Sequence, residues 1–255
     1  MKAYVQQQNG QWLNENCYTV WYGLTRMGYE VHPFTMEDVM NNPEQFLSGG
    51  DKEITEGVVV HGGVNTIRTL FDVLGVEQPP IHNPQDYLPQ YCNRSFRETT
   101  LGSVISEGVF PIFLKPLSEH KLFTGRVVNN LFDVRLHLNK CDENTPILCS
   151  EVLNMVSEYR CFVNRGKLVG SKNYTGDFTK NIDYNIVKEA IVEYDGQPIS
   201  YTLDFCVTDS GETVLIEIND GFSLGSYGLN PITYTKMIVD RWNEITNKKK
   251  IYGHG

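Results

Sequence analysis

The sequence has no CxxC pair, no long apolar run and no excess of basic residues. Its six cysteines are scattered along the chain, at Cys17, Cys92, Cys141, Cys149, Cys161 and Cys206. Zinc sites and disulfide frameworks usually show paired or regular spacing. The scatter therefore predicts reduced thiols, most of them buried as small hydrophobic side chains.

No segment approaches the roughly 18 apolar residues of a membrane span, and the opening stretch MKAYVQQQNG lacks the apolar centre of a signal peptide. Acidic residues outnumber basic ones by 31 to 22, which gives a net charge of −9. This charge disfavours duplex nucleic acid and anionic membranes as partners. We expect a soluble, cytoplasmic protein with neither partner, and the charge remains compatible with a bound metal ion and nucleotide.

Common catalytic motifs are also missing. The sequence contains no GxxxxGK[ST], HExxH or GxGxxG, so the usual P-loop, zinc-protease and dinucleotide signatures are absent. The histidines are dispersed, and we expect packed or solvated side chains at His32, His61, His82, His120, His137 and His254.

Strands and helices alternate over residues 1 to about 80, which is typical of an α/β domain. A helix is expected to begin at Asn14 or Asn16 and to end at Gly28, and a second is expected to end at Gly75. A proline-rich segment, EQPPIHNPQDYLP, follows. We predict an N-terminal α/β domain over residues 1–85.

The remaining residues, 86–255, have an α+β pattern with much antiparallel sheet. The expected strands include IFLKP, VRLHLN, PILCSEVL, EYRCFVN and KLVGSKNY. Helical patterns return at 183–194 and 230–245.

Two further predicted strands, YTLDFCVT (201–208) and VLIEINDG (214–221), are separated by DSGE and form a hairpin. If Ser210 and Gly211 form a two-residue turn, the register of the two strands is fixed. A three-residue turn would shift that register by one and turn one strand's side chains to the other face.

The two-residue turn places Asp204 opposite Glu217 and brings Asn219 onto the same face. Opposed acids destabilise a sheet unless a cation lies between them. Two carboxylates and an amide oxygen suit a hard divalent cation such as Mg²⁺. The hairpin therefore predicts a metal site, and the alternative is an exposed face with solvated acids.

Other charged residues recur on or beside the predicted strands. Lys115 ends the strand IFLKP, and the loop SEHKLFTG after it offers Lys121. Glu158 and Arg160 lie two apart and share a face, and Lys172 projects from the next strand. Separated cations and a metal site on one sheet are what a magnesium-bound triphosphate requires. The alternatives are solvated lysines and an exposed Glu158–Arg160 pair.

This order of motifs resembles the ATP-grasp fold of ATP-dependent carboxylate–amine ligases. The matching segments are FLKP (113–116), LCSEVL (148–153), EYRCFVNRGKLVGSK (158–172), and Asp204 with EIN (217–219). The resemblance covers about residues 90–245. It implies an α/β N-terminal domain followed by an ATP-grasp domain whose two subdomains, with mainly antiparallel sheets, clasp ATP. The lid subdomain would span about 90–150 and the metal-binding subdomain about 151–247.

The resemblance implies a role for each matching residue. Lys115 resembles the lid lysine that contacts phosphate and adenine N7, residues 151–153 resemble the hinge that reads adenine through the backbone, and Glu158 would hold the ribose. The implied residues are, for ATP, Lys115, Lys121, Glu151, Val152, Leu153 and Glu158; for catalysis, Arg160 and Lys172; and for Mg²⁺, Asp204, Glu217 and Asn219.

Two positions depart from the family pattern. Many members have an arginine where this chain has Lys172, and the change resembles a clade in which lysine replaces that arginine. Lysine can neutralise a phosphate but cannot clamp it bidentately. For an upstream lysine of the family, the sequence offers Arg94 or Arg97.

The resemblance implies amide or peptide formation through an acylphosphate, with release of ADP. Two other classes stay open: a nucleotide-binding regulatory module that has lost ligation, and a phosphotransferase on the same fold. The segment GFSLGSYGLNP (221–231) is either a connector or a site for an acylphosphate or substrate carboxylate. The expected substrates are small-molecule or peptide carboxylates and amines, and no heptad pattern indicates an oligomeric state.

Overall fold

A computed structural model describes residues 1–47, 58–117, 122–139 and 141–247. The N-terminal part is a parallel sheet with β1 between β3 and β4, and the short β2 runs antiparallel to the end of β1. Its elements are β1 (Lys2–Gln8), β2 (Gln11–Trp12), α1 (Glu15–Arg26), β3 (Glu30–Phe34), α2 (Met36–Asn41), β4 (Val58–His61) and α3 (Val64–Leu74).

Local signals in the sequence position these helices. The Asn14 side chain accepts a hydrogen bond from the Cys17 N–H at 3.0 Å, so Asn14 and not Asn16 caps α1. Thr35 starts α2 with a capping box. Gly75 ends α3 in the left-handed conformation, with φ of +62°. The predicted α/β pattern of this region is confirmed.

The middle of the chain forms an antiparallel sheet in the order β5–β8–β6–β7, which we call the lid sheet. Its elements are α4 (Pro84–Tyr87), β5 (Phe96–Thr100), α5 (Leu101–Glu107), β6 (Ile112–Pro116), β7 (Arg126–Val128), α6 (Leu131–His137) and β8 (Pro146–Ser150).

One expected strand of this region is wrong. The segment VRLHLN forms most of α6, which Asn130 caps by accepting a hydrogen bond from the Asp133 N–H. Its alternating apolar residues suggested a strand. Val134 on α6 and Leu138, the C-cap residue of this helix, lie one turn apart and are buried, whereas Leu136 is 56% exposed.

The C-terminal sheet is antiparallel in the order β10–β9–β11–β12. Helices occur close to both predicted helical segments, and the fold class is the one that the sequence predicted. The elements are β9 (Met155–Asn164), β10 (Lys167–Gly176), α7 (Tyr184–Glu193), β11 (Ser200–Thr208), β12 (Thr213–Asp220) and α8 (Pro231–Asn247).

The hydrophobic core of the N-terminal sheet includes α8, the last helix among the described residues. Tyr234, Met237, Ile238 and Trp242 of α8 are buried in the same cluster as the apolar residues of β1, β4 and α3. The ring of Trp242 stacks on Phe71 with centroids 5.8 Å apart. Across the described ranges, no helix is both long and apolar enough to cross a membrane.

Candidate functional site

Four charged residues, one from each strand, form a row across the C-terminal sheet. Lys172 on β10 pairs with Arg160 on β9, and Arg160 pairs with Asp204 on β11. Asp204 pairs in turn with Glu217 on β12, as predicted. Opposed residues of antiparallel strands share a face, so these four side chains, which we call the charged row, lie on one face of the sheet.

The turn of the hairpin differs from the predicted one. Residues 209–211 form a three-residue loop, because the Thr208 N–H donates to the Glu212 carbonyl at 2.9 Å. Gly211 closes the loop with φ of +85°, a conformation that favours glycine. Next to this loop, the pairing between the two strands is therefore shifted by one residue from the predicted register.

A β-bulge restores the register before the strands reach the charged row. Asp204 pairs with Glu217, but the next residue, Phe205, pairs with Leu215, so Ile216 is the additional residue on β12. Both Ile216 and Glu217 line a cavity beside the sheet. The bulge therefore places two consecutive side chains at the site.

Arg160 and Asp204 form a buried, bidentate ion pair. The Arg160 Nε and Nη2 atoms donate to the two Asp204 carboxylate oxygens at 2.8 and 2.6 Å, and Asp204 is 1% exposed. Burial raises the pKa of the Asp204 carboxyl to about 6, although the Arg160 hydrogen bonds oppose this rise. Burial also disfavours the Arg160 charge, but Asp204 outweighs it and raises the arginine pKa. The guanidinium is thus held charged and fixed in position.

Two tyrosines that the sequence did not indicate surround the same guanidinium. The Arg160 Cζ atom lies 4.7 Å from the ring centre of Tyr227 and 5.9 Å from that of Tyr174. The Tyr174 hydroxyl donates to the Glu158 carboxylate at 2.7 Å. Tyr227 belongs to the glycine-rich segment 221–231, so this segment packs directly onto the charged row.

The three predicted metal ligands lie together. The Asn219 Nδ2 atom is 3.2 Å from a Glu217 oxygen and 3.4 Å from an Asp204 oxygen. The amide thus stands where the two carboxylates converge. In the described part of the chain, no three His, Cys, Asp or Glu side chains form a metal-binding cluster, so this set depends on its amide as the third donor.

A cavity of about 330 Å³ lies between the lid sheet and the C-terminal sheet. Apolar side chains from both sheets form its walls, among them Phe96, Phe113, Met155 and Ile216. Its lining also includes six of the predicted site residues: Lys115, Glu151, Val152, Leu153, Glu158 and Glu217.

Lys115 reaches this cavity from the end of β6. Its Nζ atom donates to the Asn83 side-chain oxygen at 2.9 Å. Burial lowers the pKa of the Lys115 ammonium, while the charge of Glu217 acts in the opposite direction. A cation of the lid sheet and an acid of the charged row therefore face one cavity.

The structure separates the two arginines that the sequence offered. Arg94 lines the cavity, and its Cζ atom lies 4.9 Å from the ring centre of Phe96. Its Nη1 atom is buried without a hydrogen-bond acceptor among the described residues. Arg97 instead pairs with Glu107 at 2.6 Å on the exposed side of β5. Arg94 is thus the cation available to a ligand.

The remaining predicted residues lie at different places. Lys172 is partly buried at the end of the charged row and does not line the cavity. Arg160, Asp204 and Asn219 also lie beyond its lining, next to Glu217. Lys121 lies outside the described residues.

A family model described as "ATP-grasp domain, R2K clade family 2" matches residues 91–237, more than half of the chain. The chain belongs to the ATP-grasp family. This match contains all the predicted site residues, whereas the N-terminal sheet lies outside it. A search of curated proteins found no match.

Solved ATP-grasp structures share the fold at low sequence identity. A RimK domain protein ATP-grasp from Sphaerobacter thermophilus DSM 20745 is 15% identical, with a TM-score of 0.59 over 95% of this chain and 99% of that chain. D-alanine–D-alanine ligase from Bacillus anthracis, complexed with ATP, is 13% identical, with a TM-score of 0.58 over 100% and 98%. L-amino acid ligase from Bacillus licheniformis is 12% identical, with a TM-score of 0.59 over 94% and 73%.

Proposed function

We propose that this protein is an ATP-dependent carboxylate–amine ligase that works through an acylphosphate and releases ADP. The position of Glu217 carries the proposal, because this residue belongs both to the charged row and to the lining of the cavity. A nucleotide with its base in the cavity would extend its phosphates along the row. The acceptors would be small-molecule or peptide carboxylates and amines.

The cavity suits the adenosine part of ATP. Its volume of about 330 Å³ and its apolar walls are typical of a small-molecule site. Residues 151–153 follow β8 along its edge, where their backbone groups would read the adenine. Glu158, which accepts a hydrogen bond from Tyr174, would hold the ribose.

Cations would surround the phosphates from both sheets. Lys115 and Arg94 face the cavity from the lid side, and Arg160 and Lys172 lie along the row. We also assign Lys121 to this group, because it follows Lys115 closely in the sequence, in the segment SEHKLFTG. The lysine at position 172 would neutralise charge without a bidentate clamp.

The donor set fits Mg²⁺. The carboxylates of Asp204 and Glu217 converge on the Asn219 amide, which would offer an oxygen if it were turned over. Each Asp204 oxygen that accepts from Arg160 retains a second lone pair. When bound, Mg²⁺ would supply positive charge that offsets the charge of the triphosphate.

The protein would contribute position and charge to the reaction. The substrate carboxylate attacks the γ-phosphorus to give an acylphosphate and ADP; the amine then attacks the acyl carbon and phosphate leaves. Arg160, fixed by Asp204 and Tyr227, would hold its charge toward the transferred phosphoryl group. The amine proton leaves to the departing phosphate or to water, and we assign no general base among these residues, because positioning and charge would carry the rate.

Glu217→Gln tests the proposal. We expect ADP release to fall by about 10²-fold or more, because the variant loses a charge at the site without a change of shape. Glu189→Gln, on the exposed side of α7, is the matched control. Unchanged ADP release in a folded Glu217→Gln protein would refute the assignment. Mass spectrometry of the product distinguishes an amide from a phosphorylated compound.

A further inference from the structure

A second cavity, of about 540 Å³, lies at the carboxyl ends of β1, β3 and β4, outside the residues that the family model matches. Residues that follow each of the three parallel strands line it, including Asn9, Thr35 and Gly63. In open parallel sheets, ligands bind at this edge.

One wall of the cavity carries backbone N–H groups, at the start of α3, for which the described residues show no acceptor. Gly63 precedes α3 and provides no side-chain cap, so the N–H groups of the first turn of α3 have no acceptor within the helix. Val64, Asn65 and Thr66 of that turn all line the cavity. The helix dipole adds partial positive charge at the same point.

Gln6 supplies an independent donor to the same wall. Its side chain lines the cavity but is only 5% exposed, and its Oε1 atom accepts from the Gly63 N–H at 2.8 Å. This hydrogen bond assigns the other amide atom, Nε2, as a donor. Nε2 has no hydrogen-bond partner among the described residues.

The lining includes no lysine or arginine, and Glu37 is its one acidic residue among those described. Neutral donors at a helix N-terminus suit a carboxylate, which carries a single charge. A polyphosphate would need cations that the wall lacks.

The second cavity is linked to the charged row. Ser223 donates through its hydroxyl to the Gly62 carbonyl at 2.7 Å, next to Gly63 of the cavity wall. Four residues later, Tyr227 packs on Arg160. One short segment therefore connects the donors of the cavity with the candidate reaction site.

We propose that this cavity binds the carboxylate of the amine substrate, an amino acid or peptide whose carboxylate does not react. This inference rests on the proposed ligase function for the identity of the ligand. The carboxylate accepts from Gln6 Nε2 and from the first turn of α3, and the remainder of the molecule extends toward the segment 221–231.

The test measures binding apart from turnover. Amino acids and dipeptides, each paired with its C-terminal amide, are titrated against ¹⁵N-labelled full-length protein. We expect the acids and not the amides to shift the Gln6 side-chain NH₂ signal, which is assigned by its loss in Gln6→Glu. Equal shifts from acids and amides, or no shift from any probe, would overturn the inference.

Two variants separate binding from folding. Gln6→Glu keeps an acceptor for the Gly63 N–H but replaces the donor with a negative charge, and we expect at least about tenfold weaker binding of the acids. Asn65→Asp should weaken binding similarly while preserving or raising stability, because an acid favours a helix N-terminus. Gln11→Glu, exposed on β2, is the control. Wild-type affinity in both cavity variants would refute the site.

Failure of the two proposals gives different results. Acid binding that Gln6→Glu abolishes, without ADP release from any substrate mixture, would retain the cavity site and reject the ligase. ADP release with an unchanged KM for the amine in Gln6→Glu would retain the ligase and reject the cavity site.

Discussion

At the residue scale, the Arg160–Asp204 pair joins stability to function. Asp204→Asn removes the carboxylate that binds the buried guanidinium bidentately and leaves the exposed Glu217 carboxylate, 4.0 Å away, as a partner. We expect a loss of about 3–5 kcal/mol in unfolding free energy, measured in urea. Arg165→Gln removes one partner of an exposed pair with Asp240 and is the comparison. Its loss should be much smaller. Equal losses in the two variants would contradict the energetic role of the buried pair.

A second prediction concerns His61, which ends β4 and is fully buried. Burial lowers the pKa of its imidazole to about 4, from an ordinary value of 6.5. The unfolded chain therefore binds a proton that the folded protein does not, and stability falls as the pH drops from about 6.5 to 4. The linkage amounts to about 3 kcal/mol over this range.

His61→Gln should remove that contribution. The difference in unfolding free energy between wild type and variant, measured at several pH values, should shrink by this amount on acidification. His137→Gln, exposed on α6, is the comparison variant, in which no buried imidazole is removed. If the unfolding free energy of His61→Gln changes with pH in the same way as that of the wild type, protonation of His61 is not linked to folding.

The sequence predicted the charged residues of the site better than their surroundings. The opposition of Asp204 and Glu217 follows from the alternation of strand residues, which is a local property. The choice between Arg94, which precedes β5, and Arg97 on β5 depends on which of them faces the cavity. Tyr174 lies on β10, next to the strand of Arg160, whereas Tyr227 comes from the distant segment 221–231. Strand alternation alone does not determine these contacts.

At the element scale, we expect that the bulge on β12 can be removed without changing how the flanking residues of β11 and β12 pair. Deleting Ile216 leaves Asp204 opposite Glu217 and Phe205 opposite Leu215, so the sheet should still form. The cavity loses one apolar wall, and we expect ATP affinity to fall by about tenfold, measured by calorimetry.

Deleting Val214 is the contrasting change of equal length. It turns Leu215 from the core onto the cavity face, because side chains alternate along a strand. We expect this variant to be far less stable. If both deletion variants are equally stable, the bulge does not determine which side chains of β12 face the core and which face the cavity.

The predicted helix ends show which features of secondary structure can be predicted from the local sequence. Asn14 and Gly75 act within one turn of their own positions, and the structure uses both. The strand predicted for VRLHLN was wrong, because its apolar pattern also fits a helix that buries Val134. At the hairpin, the structure has the three-residue turn that the sequence left open as the alternative.

At the scale of the whole molecule, α8 packs into the core of the N-terminal sheet, far from it in the sequence. Trp242 is 1% exposed and stacks on Phe71, so Trp242→Ala should cost about 3–5 kcal/mol of unfolding free energy. Phe132→Ala, at a side chain that is 70% exposed on α6, should change stability little and is the control. Similar losses would contradict the shared core.

The shared core could not be inferred from the sequence order. The pattern of residues 230–245 predicted a helix, but its apolar residues did not identify the sheet that they cover. The family match ends at residue 237, inside α8.

Because α8 completes the core of the N-terminal sheet, the order of synthesis affects when that sheet can fold. On the ribosome, the N-terminal strands emerge long before the helix that covers them, and their apolar faces stay open to water or to chaperones in the interval. Closure of the protein then depends on contacts between residues far apart along the polypeptide, which slows folding. The N-terminal sheet therefore cannot complete its native core until α8 has left the ribosomal tunnel.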